Sequence, residues 1–226
     1  MSRAILHDYF RSSAAYRVRI ALNLKGVDYD SRPVNLAEGA QKSAEYRALN
    51  PQGFVPMLEI DGLKLTQSLS IIMYLATRFP EPPLLPADPG EAAHVRGMAL
   101  AIACDIHPLN NLRVLKYLKG ELGQSQEVAD AWYRHWISEG LAPLEAVAAP
   151  RAGAFLFGDS PTIADICLVP QLFNARRLDV PLEPFPTLLR ADAGAAALEP
   201  FAAAHPDRQE SHRSHASMGA RQETRP

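Results

Sequence analysis

A proline-rich stretch divides this chain of 226 residues into two parts with different patterns of apolar residues. Five prolines lie in the ten residues from Pro80 to Pro89. Because proline has no backbone N–H and a fixed φ, this stretch can neither continue a helix nor run as a central strand. Short apolar runs alternate with helical ones before it, and Ala- and Leu-rich helical periodicity follows it. The sequence therefore predicts an α/β domain followed by an all-α domain.

The expected boundaries follow from these shifts in composition. The first domain is predicted over residues 1–84 and the second over 91–205, with a Pro-rich linker at 85–90. Residues 206–226 are polar and show no periodicity, which is typical of a disordered tail. Within the first domain the pattern predicts a β-α-β unit, a hairpin with Asp61-Gly62 at its turn, and a helix beginning at Ser68.

Charge and cysteine content narrow the class of protein. The formal net charge is -2 at pH 7, so the chain lacks the strongly basic balance typical of proteins that bind nucleic acid or anionic membranes. No apolar run approaches the length of a membrane span, and the N-terminus shows no secretory pattern. Cys104 and Cys167 are too few for a disulfide framework and are expected to be free core thiols. These features predict a cytoplasmic protein.

Two serines, Ser12 and Ser13, stand where the first strand should meet the first helix. The free N–H groups and the positive dipole end of a helix favour an anion at such a place, and a thiolate would suit it. Ala14 and Ala15 offer no nucleophile, so sulfur chemistry here would need a sulfur brought by a ligand. The alternative is that one of the serines is simply an N-cap, since serine is a preferred residue there.

A second pair of motifs indicates a peptide-like ligand. Val55-Pro56 places a proline at the start of a strand, and Gln67-Ser68 lie at the predicted N-terminus of a helix. A strand edge can pair with a peptide backbone, and polar side chains beside helix N–H groups can bind a carboxylate. Taken separately, each motif is also consistent with an ordinary strand-edge proline and an ordinary cap.

The second half of the chain contains one structural motif and one polar segment. Thr162 and Asp165 have the spacing of a capping box at the start of an apolar core helix, so Asp165 is expected to be structural. The segment 105–115 is predicted to be a single helix with leucines on one face. The other face is polar and could be merely solvated; it carries His107, Asn110, Asn111 and Arg113. Arg177 follows the core helix and is by default a surface arginine.

Six segments, in order, resemble the zeta-class glutathione transferases: SSAAYRVRIALNLKG, LNPQGFVPML, QSLSIIMYL, LLPADP, CDIHPLNNLRVLKYL and TIADICLVPQLFNARR. The resemblance covers almost the whole chain except the tail. It implies a thioredoxin-like N-terminal domain, an all-helical glutathione transferase C-terminal domain, and glutathione in the cleft between them. It also implies a homodimer with no metal cofactor.

The resemblance assigns expected roles to the matching residues. Val55-Pro56 would form a cis-proline corner that pairs with the tripeptide, and Ser12 would lie near its sulfur. Glutathione as a whole would be held by Ser12, Val55, Gln67, Ser68, His107, Asn111 and Arg113. The substrate would be bound by Arg11, Arg113 and Arg177. The catalytic residues would be Ser12, Ser13 and Arg177.

The activity implied by the resemblance is glutathione-dependent cis-trans isomerisation of the cis diacid maleylacetoacetate to fumarylacetoacetate, in aromatic amino acid catabolism. Maleylpyruvate is the alternative substrate. General conjugation is a third possibility, although arginine-bearing walls are unlike the apolar pockets that hydrophobic electrophiles need. A non-catalytic binding module of the same fold is a fourth. Many zeta-class proteins have a cysteine where this chain has Ala14, but the expected nucleophile arrives with glutathione.

Overall fold

The computed structural model describes residues 3–209, which fall into two units. Unit 1 combines the chain up to Pro82 with the segment that begins at Glu199, and unit 2 is Pro83–Leu198. Within residues 3–209, no helix is both long and apolar enough to cross a membrane.

Unit 1 is built on a four-stranded sheet with the strand order β2-β1-β3-β4. The strands are β1 (Ala4–Asp8), β2 (Tyr29–Pro33), β3 (Met57–Ile60) and β4 (Leu63–Thr66). β1 is parallel to β2 and antiparallel to β3, which is antiparallel to β4. Three α-helices join or follow these strands: α1 (Ser13–Leu24) lies between β1 and β2, α2 (Ala44–Leu49) precedes β3, and α3 (Ser68–Arg78) follows β4. The predicted thioredoxin-like order of elements is confirmed.

The turn between β3 and β4 has the predicted chemistry. Asp61 and Gly62 both have positive φ, at 51° and 77°. A two-residue hairpin turn of this kind requires positive φ at both central residues, and Asp-Gly is a preferred pair for it. The hairpin places β4 at the edge of the sheet and leads the chain directly into α3.

The segment after Glu199 corrects the expected end of the second domain. Helix α9 (Glu199–Ala204) packs against α1 in unit 1, with Phe201 fully buried. Asn23 on α1 donates through Nδ2 to the carbonyl of Pro200 at 2.9 Å. The Ala-rich sequence indicates a helix but does not identify its packing partner, so the predicted second domain runs on to residue 205, whereas unit 2 ends at Leu198.

The predicted start of the disordered tail, residue 206, is also too early in the sequence. Pro206–Arg208 forms a turn of 3-10 helix, and Gln209 donates through Nε2 to the carbonyls of Ala203 and His205 at 3.0 and 2.9 Å. These contacts tie residues 206–209 to α9. The rest of the predicted tail, 210–226, lies outside the described residues.

Unit 2 is helical, as predicted. Its α-helices are α4 (Pro89–Leu100), α5 (Leu112–Gly120), α6 (Gln126–Ala148), α7 (Ile163–Arg177) and α8 (Pro186–Ala196). The predicted capping box opens α7, where Thr162 accepts from Ala164 N–H and Asp165 accepts from Thr162 N–H. The expectation of two core thiols is half right, because Cys167 is buried in α7 and Cys104 is exposed.

The prediction of one helix over residues 105–115 is wrong. A π-helix covers Ala101–Ile106, a turn follows, and α5 begins only at Leu112. Asn111 is the N-cap of α5, its Oδ1 accepting from Arg113 N–H at 3.1 Å. Asparagine competes well for this position, so the helix restarts instead of continuing. The predicted polar and leucine faces are therefore not formed: Asn110, expected on the polar face, is only 3% exposed, and Leu112, expected on the leucine face, is 40% exposed.

Candidate functional site

Ser12 is the N-cap of α1 and presents a hydroxyl at the positive end of that helix. Its backbone is extended, and its Oγ accepts from Ala15 N–H at 3.2 Å. Because the oxygen is used as an acceptor, the hydroxyl hydrogen can still be donated to a ligand. Ser13 is the first residue of α1 and is buried. Ser12 is therefore a cap, as one interpretation of the sequence held, and it also offers a donor where an anion is favoured.

The loop before Ser12 is short and well anchored. Ser12 N–H donates to the carbonyl of Tyr9 at 2.8 Å, which closes a turn at the end of β1. Arg11 is exposed, and its guanidinium lies 5.3 Å from the ring centroid of Phe10. Arg11 Nη2 also donates to the hydroxyl of Tyr9 at 3.2 Å. The loop thus places an exposed cation one residue before the Ser12 donor.

The structure brings this loop together with Val55. Tyr9, Phe10 and Val55 belong to one buried cluster, which also contains Val34 and Tyr46. The peptide bond between Val55 and Pro56 is cis, as the resemblance implied. The apolar side chains of this cluster therefore fix the Ser12 loop against the residue whose backbone is the candidate partner for a peptide.

Two side chains hold the chain immediately before Val55. The carbonyl of Phe54 accepts from the hydroxyl of Tyr46 at 2.7 Å and from Nδ2 of Asn50 at 2.8 Å. Asn50 is almost fully buried, and a buried amide that is hydrogen-bonded fixes the local backbone. The position of the Val55 backbone is consequently set by α2, to which Tyr46 belongs, and by the residue that ends it.

The N-terminus of α3 forms the second polar corner of unit 1. Gln67 is its N-cap residue, with a φ of 68° and no side-chain capping bond, and its Nε2 donates to Gln52 Oε1 at 3.1 Å. Ser68 is the first helical residue, not the cap that the sequence also allowed. Ser68 Oγ accepts from Nη1 of Arg17 at 3.4 Å, so its hydroxyl hydrogen can be donated elsewhere.

Arg17 is the site-supporting residue that the sequence did not identify. Its side chain extends from α1 to Ser68 and is only 1% exposed. A buried guanidinium and a helix N-terminus both favour a negative charge at the same corner. The signal in the sequence was an arginine between the apolar residues Tyr16 and Val18 in an otherwise buried helix.

The candidate residues of unit 2 form a second group around the start of α5. His107 ends the π-helix, Asn111 caps α5, and Arg113 is exposed on its first turn. Trp132 of α6 holds the connecting turn, since its Nε1 donates to the carbonyl of Leu109 at 2.7 Å. A turn, and not a continuous helix face, therefore separates His107 from Asn111.

Arg177 and its neighbour Arg176 have different environments at the end of α7. Arg176 Nη2 pairs with Oδ2 of Asp192 at 2.6 Å, and burial raises the pKa of that carboxyl while Arg176 opposes the shift. Arg177 is exposed, and its Nη1 donates to Asn174 Oδ1 at 3.4 Å. Burial raises the pKa of Tyr133 to about 12, and the charge of Arg177 acts against this. Arg176 is thus engaged in an ion pair, whereas Arg177 presents its charge beside a buried phenol.

The site candidates contain no set of metal ligands. Within residues 3–209, no group of three or more His, Cys, Asp or Glu side chains could hold a metal ion. What unit 1 provides is a hydroxyl donor at one helix N-terminus, a cis-proline bend, and a hydroxyl over a buried cation at a second helix N-terminus. These groups suit a ligand that combines an anionic atom, an extended backbone and a carboxylate.

The chain matches known proteins over most of its length. Residues 6–83 match the glutathione S-transferase N-terminal domain, and residues 126–206 match the glutathione S-transferase C-terminal domain. A maleylacetoacetate isomerase from Rhizobium meliloti is 49% identical over 92% of this chain and 98% of its own length.

Two solved structures extend the comparison. A maleyl pyruvate isomerase, described as a bacterial glutathione S-transferase of the zeta class in its holo form, is 42% identical with a TM-score of 0.89, covering 91% of this chain and 98% of that one. A maleylacetoacetate isomerase from Anaeromyxobacter dehalogenans, with glutathione bound in its active site, is 45% identical with a TM-score of 0.84, covering 92% and 97%. On sequence, domain content and structure alike, this chain belongs to the zeta class of the glutathione S-transferase family.

Proposed function

We propose that this protein catalyses the glutathione-dependent cis-trans isomerisation of maleylacetoacetate to fumarylacetoacetate. The observation that carries the proposal is Ser12, a helix N-cap whose hydroxyl can donate while its oxygen accepts from Ala15 N–H. No cysteine is adjacent to it in the sequence, since Ser13 is followed by Ala14 and Ala15. The names of the relatives from Rhizobium meliloti and Anaeromyxobacter dehalogenans support this choice of reaction.

The groups of unit 1 fit glutathione. Its thiol would lie at Ser12, its backbone would pair with Val55, and its γ-glutamyl carboxylate would lie at Gln67 and Ser68. The buried Arg17 guanidinium behind Ser68 supports the last assignment, because a carboxylate gains from a fixed positive charge in a poorly solvated corner. In unit 2 the candidates for glutathione are His107, Asn111 and Arg113.

Bound glutathione supplies a thiolate able to add reversibly to an activated double bond, with no net redox change. The protein's part is to hold the thiol deprotonated: the Ser12 hydroxyl donates to the sulfur anion, and the N-terminus of α1 adds its positive dipole. Ser13 is the second hydroxyl candidate beside it. Arginines bind the carboxylates of a diacid substrate and the negative charge that develops next to its carbonyl; the candidates are Arg11, Arg113 and Arg177.

The first test is turnover of maleylacetoacetate by the purified protein with and without glutathione. The proposal requires turnover that depends on glutathione. Turnover that is independent of glutathione, or an absence of turnover on this and related cis diacids, would refute it. If the protein instead attaches glutathione to added electrophiles at a higher rate than it isomerises maleylacetoacetate, a conjugating transferase is supported.

A substitution tests the role of Ser12. A hydrogen bond to a charged group is worth about 1.5 to 3 kcal/mol, which corresponds to about 1 to 2 pKa units, so Ser12→Ala should raise the pKa of the bound thiol by that amount. The matched control is Ser43→Ala, because Ser43 caps α2 in the same way, accepting from Tyr46 N–H at 3.1 Å. Both variants should lose about 1 kcal/mol of stability. Only Ser12→Ala should move the pH profile.

Maleylpyruvate remains a second candidate substrate. The observation behind it is that relatives named for this reaction are about as similar as the others, namely the maleyl pyruvate isomerase structure at 42% identity and a maleylpyruvate isomerase from Ralstonia at 43%. The two substrates share the reacting double bond and differ away from it. Assays of kcat/KM on both, with one protein preparation, decide between them.

The proposal also includes a homodimer in the cytoplasm, as the family resemblance implies. Light scattering on the purified protein measures the first point, since a dimer has twice the chain mass of 24.8 kDa. Cell fractionation measures the second. A monomer with full activity would remove the dimer from the proposal without affecting the reaction.

A further inference from the structure

Arg19 places a fully buried guanidinium behind the loop that carries Ser12. Its Nη1 donates to both carboxylate oxygens of Asp8, at 2.8 and 2.9 Å, and its Nη2 donates to the carbonyl of Phe10 at 3.0 Å. Asp8 is the last residue of β1, and α1 begins at Ser13. One side chain on α1 therefore fixes the strand end and the middle of the loop that precedes its own helix.

The same guanidinium holds the C-terminal segment. Arg19 Nε donates to the carbonyl of Ala204, the last residue of α9, at 2.9 Å. The guanidinium lies 5.2 Å from the ring centroid of Tyr16, and that ring meets His205 edge-on at 6.1 Å. Through Arg19, α9 is connected to the carbonyl of Phe10, which lies two residues before Ser12.

The orientation of Ser12 depends on this loop. Ser12 N–H donates to the carbonyl of Tyr9, whose neighbour Phe10 is held by Arg19. Arg11 lies over the ring of Phe10, so a displacement of Phe10 moves both the hydroxyl donor and the exposed Arg11 guanidinium. Hydrogen bonds weaken steeply as distance and angle depart from the optimum, and small misplacements in active sites cost large factors in rate.

We propose that Arg19 is a positioning residue for Ser12, acting through its bonds to Asp8 and to the carbonyl of Phe10. The inference rests on the proposed role of Ser12 toward the glutathione thiol. It adds that the buried pair with Asp8 determines how well Ser12 stabilises the thiolate. Lysine cannot replace Arg19, because a single ammonium group lacks the planar fork that reaches Asp8, Phe10 and Ala204 together.

Two variants and one control test the inference. Arg19→Lys keeps the positive charge and removes the fork, and Asp8→Asn keeps an acceptor and removes the negative charge. The control is Asn23→Ala, because Asn23 docks α9 through Pro200 without contacting the Ser12 loop. Three quantities are measured: the ultraviolet absorbance of the thiolate of bound glutathione as a function of pH, hydrogen exchange over residues 10–12, and the thermal midpoint.

Arg19→Lys and Asp8→Asn should raise the apparent pKa of the bound thiol and so lower its thiolate fraction near neutral pH by about 3- to 10-fold, where one pKa unit is tenfold. Both should also speed hydrogen exchange at Ser12, whose N–H is bonded to the carbonyl of Tyr9. Asn23→Ala should lower the thermal midpoint and leave the pH profile and this exchange unchanged.

The inference is overturned if Arg19→Lys folds and retains the wild-type pH profile. It is also overturned if Asn23→Ala, at the same loss of thermal midpoint as Arg19→Lys, shifts the pH profile as far as Arg19→Lys does. Should Arg19→Lys fail to fold, Asp8→Asn decides by the same readouts. Failure of the proposed function is recognised separately: if Ser12→Ala itself leaves the thiol pKa unchanged, Ser12 has no such role. The exchange measurement then still decides whether Arg19 orders the loop.

Discussion

Replacement of Asp165 should be among the most damaging substitutions in unit 2, although Asp165 has no role in the proposed chemistry. Its Oδ1 accepts from Leu156 N–H at 2.8 Å, and its Oδ2 accepts from Thr162 N–H at 2.8 Å and from the Thr162 hydroxyl at 3.0 Å. Leu156, Thr162 and Asp165 are all buried. Asp165→Ala therefore leaves two buried backbone donors without their acceptor.

Each abandoned buried donor costs about 1 to 3 kcal/mol, so the two together cost about 2 to 6 kcal/mol. Burial raises the pKa of Asp165, because enclosing a charged carboxyl away from water is unfavourable. Its removal offsets part of the loss, and we expect the free energy of unfolding to fall by about 3 kcal/mol. Asp165→Asn keeps one carbonyl oxygen and should lose less than Asp165→Ala.

Urea unfolding followed by circular dichroism measures this change. The matched control is Asp159→Ala, because the exposed Asp159 also accepts from one backbone N–H, that of Ala154, at 3.0 Å. A hydrogen bond near the surface is easily replaced by water, so the control should lose less than about 1 kcal/mol. Equal losses in Asp165→Ala and Asp159→Ala would refute the reasoning.

The remaining expectations concern unit 2. Arg177→Ala should raise KM for a diacid substrate several-fold with little loss of stability, whereas Arg176→Ala should lower the thermal midpoint and leave KM unchanged. If instead Arg176→Ala raises KM and Arg177→Ala does not, Arg177 is a surface arginine without a role in substrate binding. Glu145→Ala should cost about 2 kcal/mol in urea unfolding, because Glu145 accepts from two buried N–H groups at the start of α8. Gly140→Ala should destabilise by about 1 to 3 kcal/mol, because a Cβ there would collide with the side chain of Ile106; an unchanged urea midpoint would contradict the close packing.

Local signals predicted much of the fold because their causes are local. Asp61-Gly62 specified its turn through the φ angles that those residues tolerate, and Thr162 with Asp165 specified a helix start through hydrogen bonds three residues apart. The same holds for Ser12, whose capping bond to Ala15 is made within its own helix. In each case the sequence contained both partners of the interaction.

Other features depend on partners far along the chain. The π-helix at Ala101–Ile106 packs against α6, where only a glycine at position 140 leaves room for Ile106. Arg17 gains its place in the candidate site from Ser68, which lies 51 residues away. The cis bond at Val55-Pro56 was expected only through the resemblance to a family, since periodicity contains no such information. Tertiary contacts decide such features, and a pattern within one segment does not contain them.

The return of α9 to unit 1 has a consequence for synthesis on the ribosome. The face of α1 that Phe201 and Ala204 cover cannot be covered until Pro83–Leu198 has been made. At about 5 to 20 residues per second, that interval lasts roughly 6 to 23 seconds. During this time Arg19 lacks its acceptor at Ala204, and an apolar stripe of α1 faces the solvent and the chaperones. A nascent chain halted before residue 199 would keep that stripe exposed, and unit 1 could finish folding only after synthesis had resumed and passed Ala204.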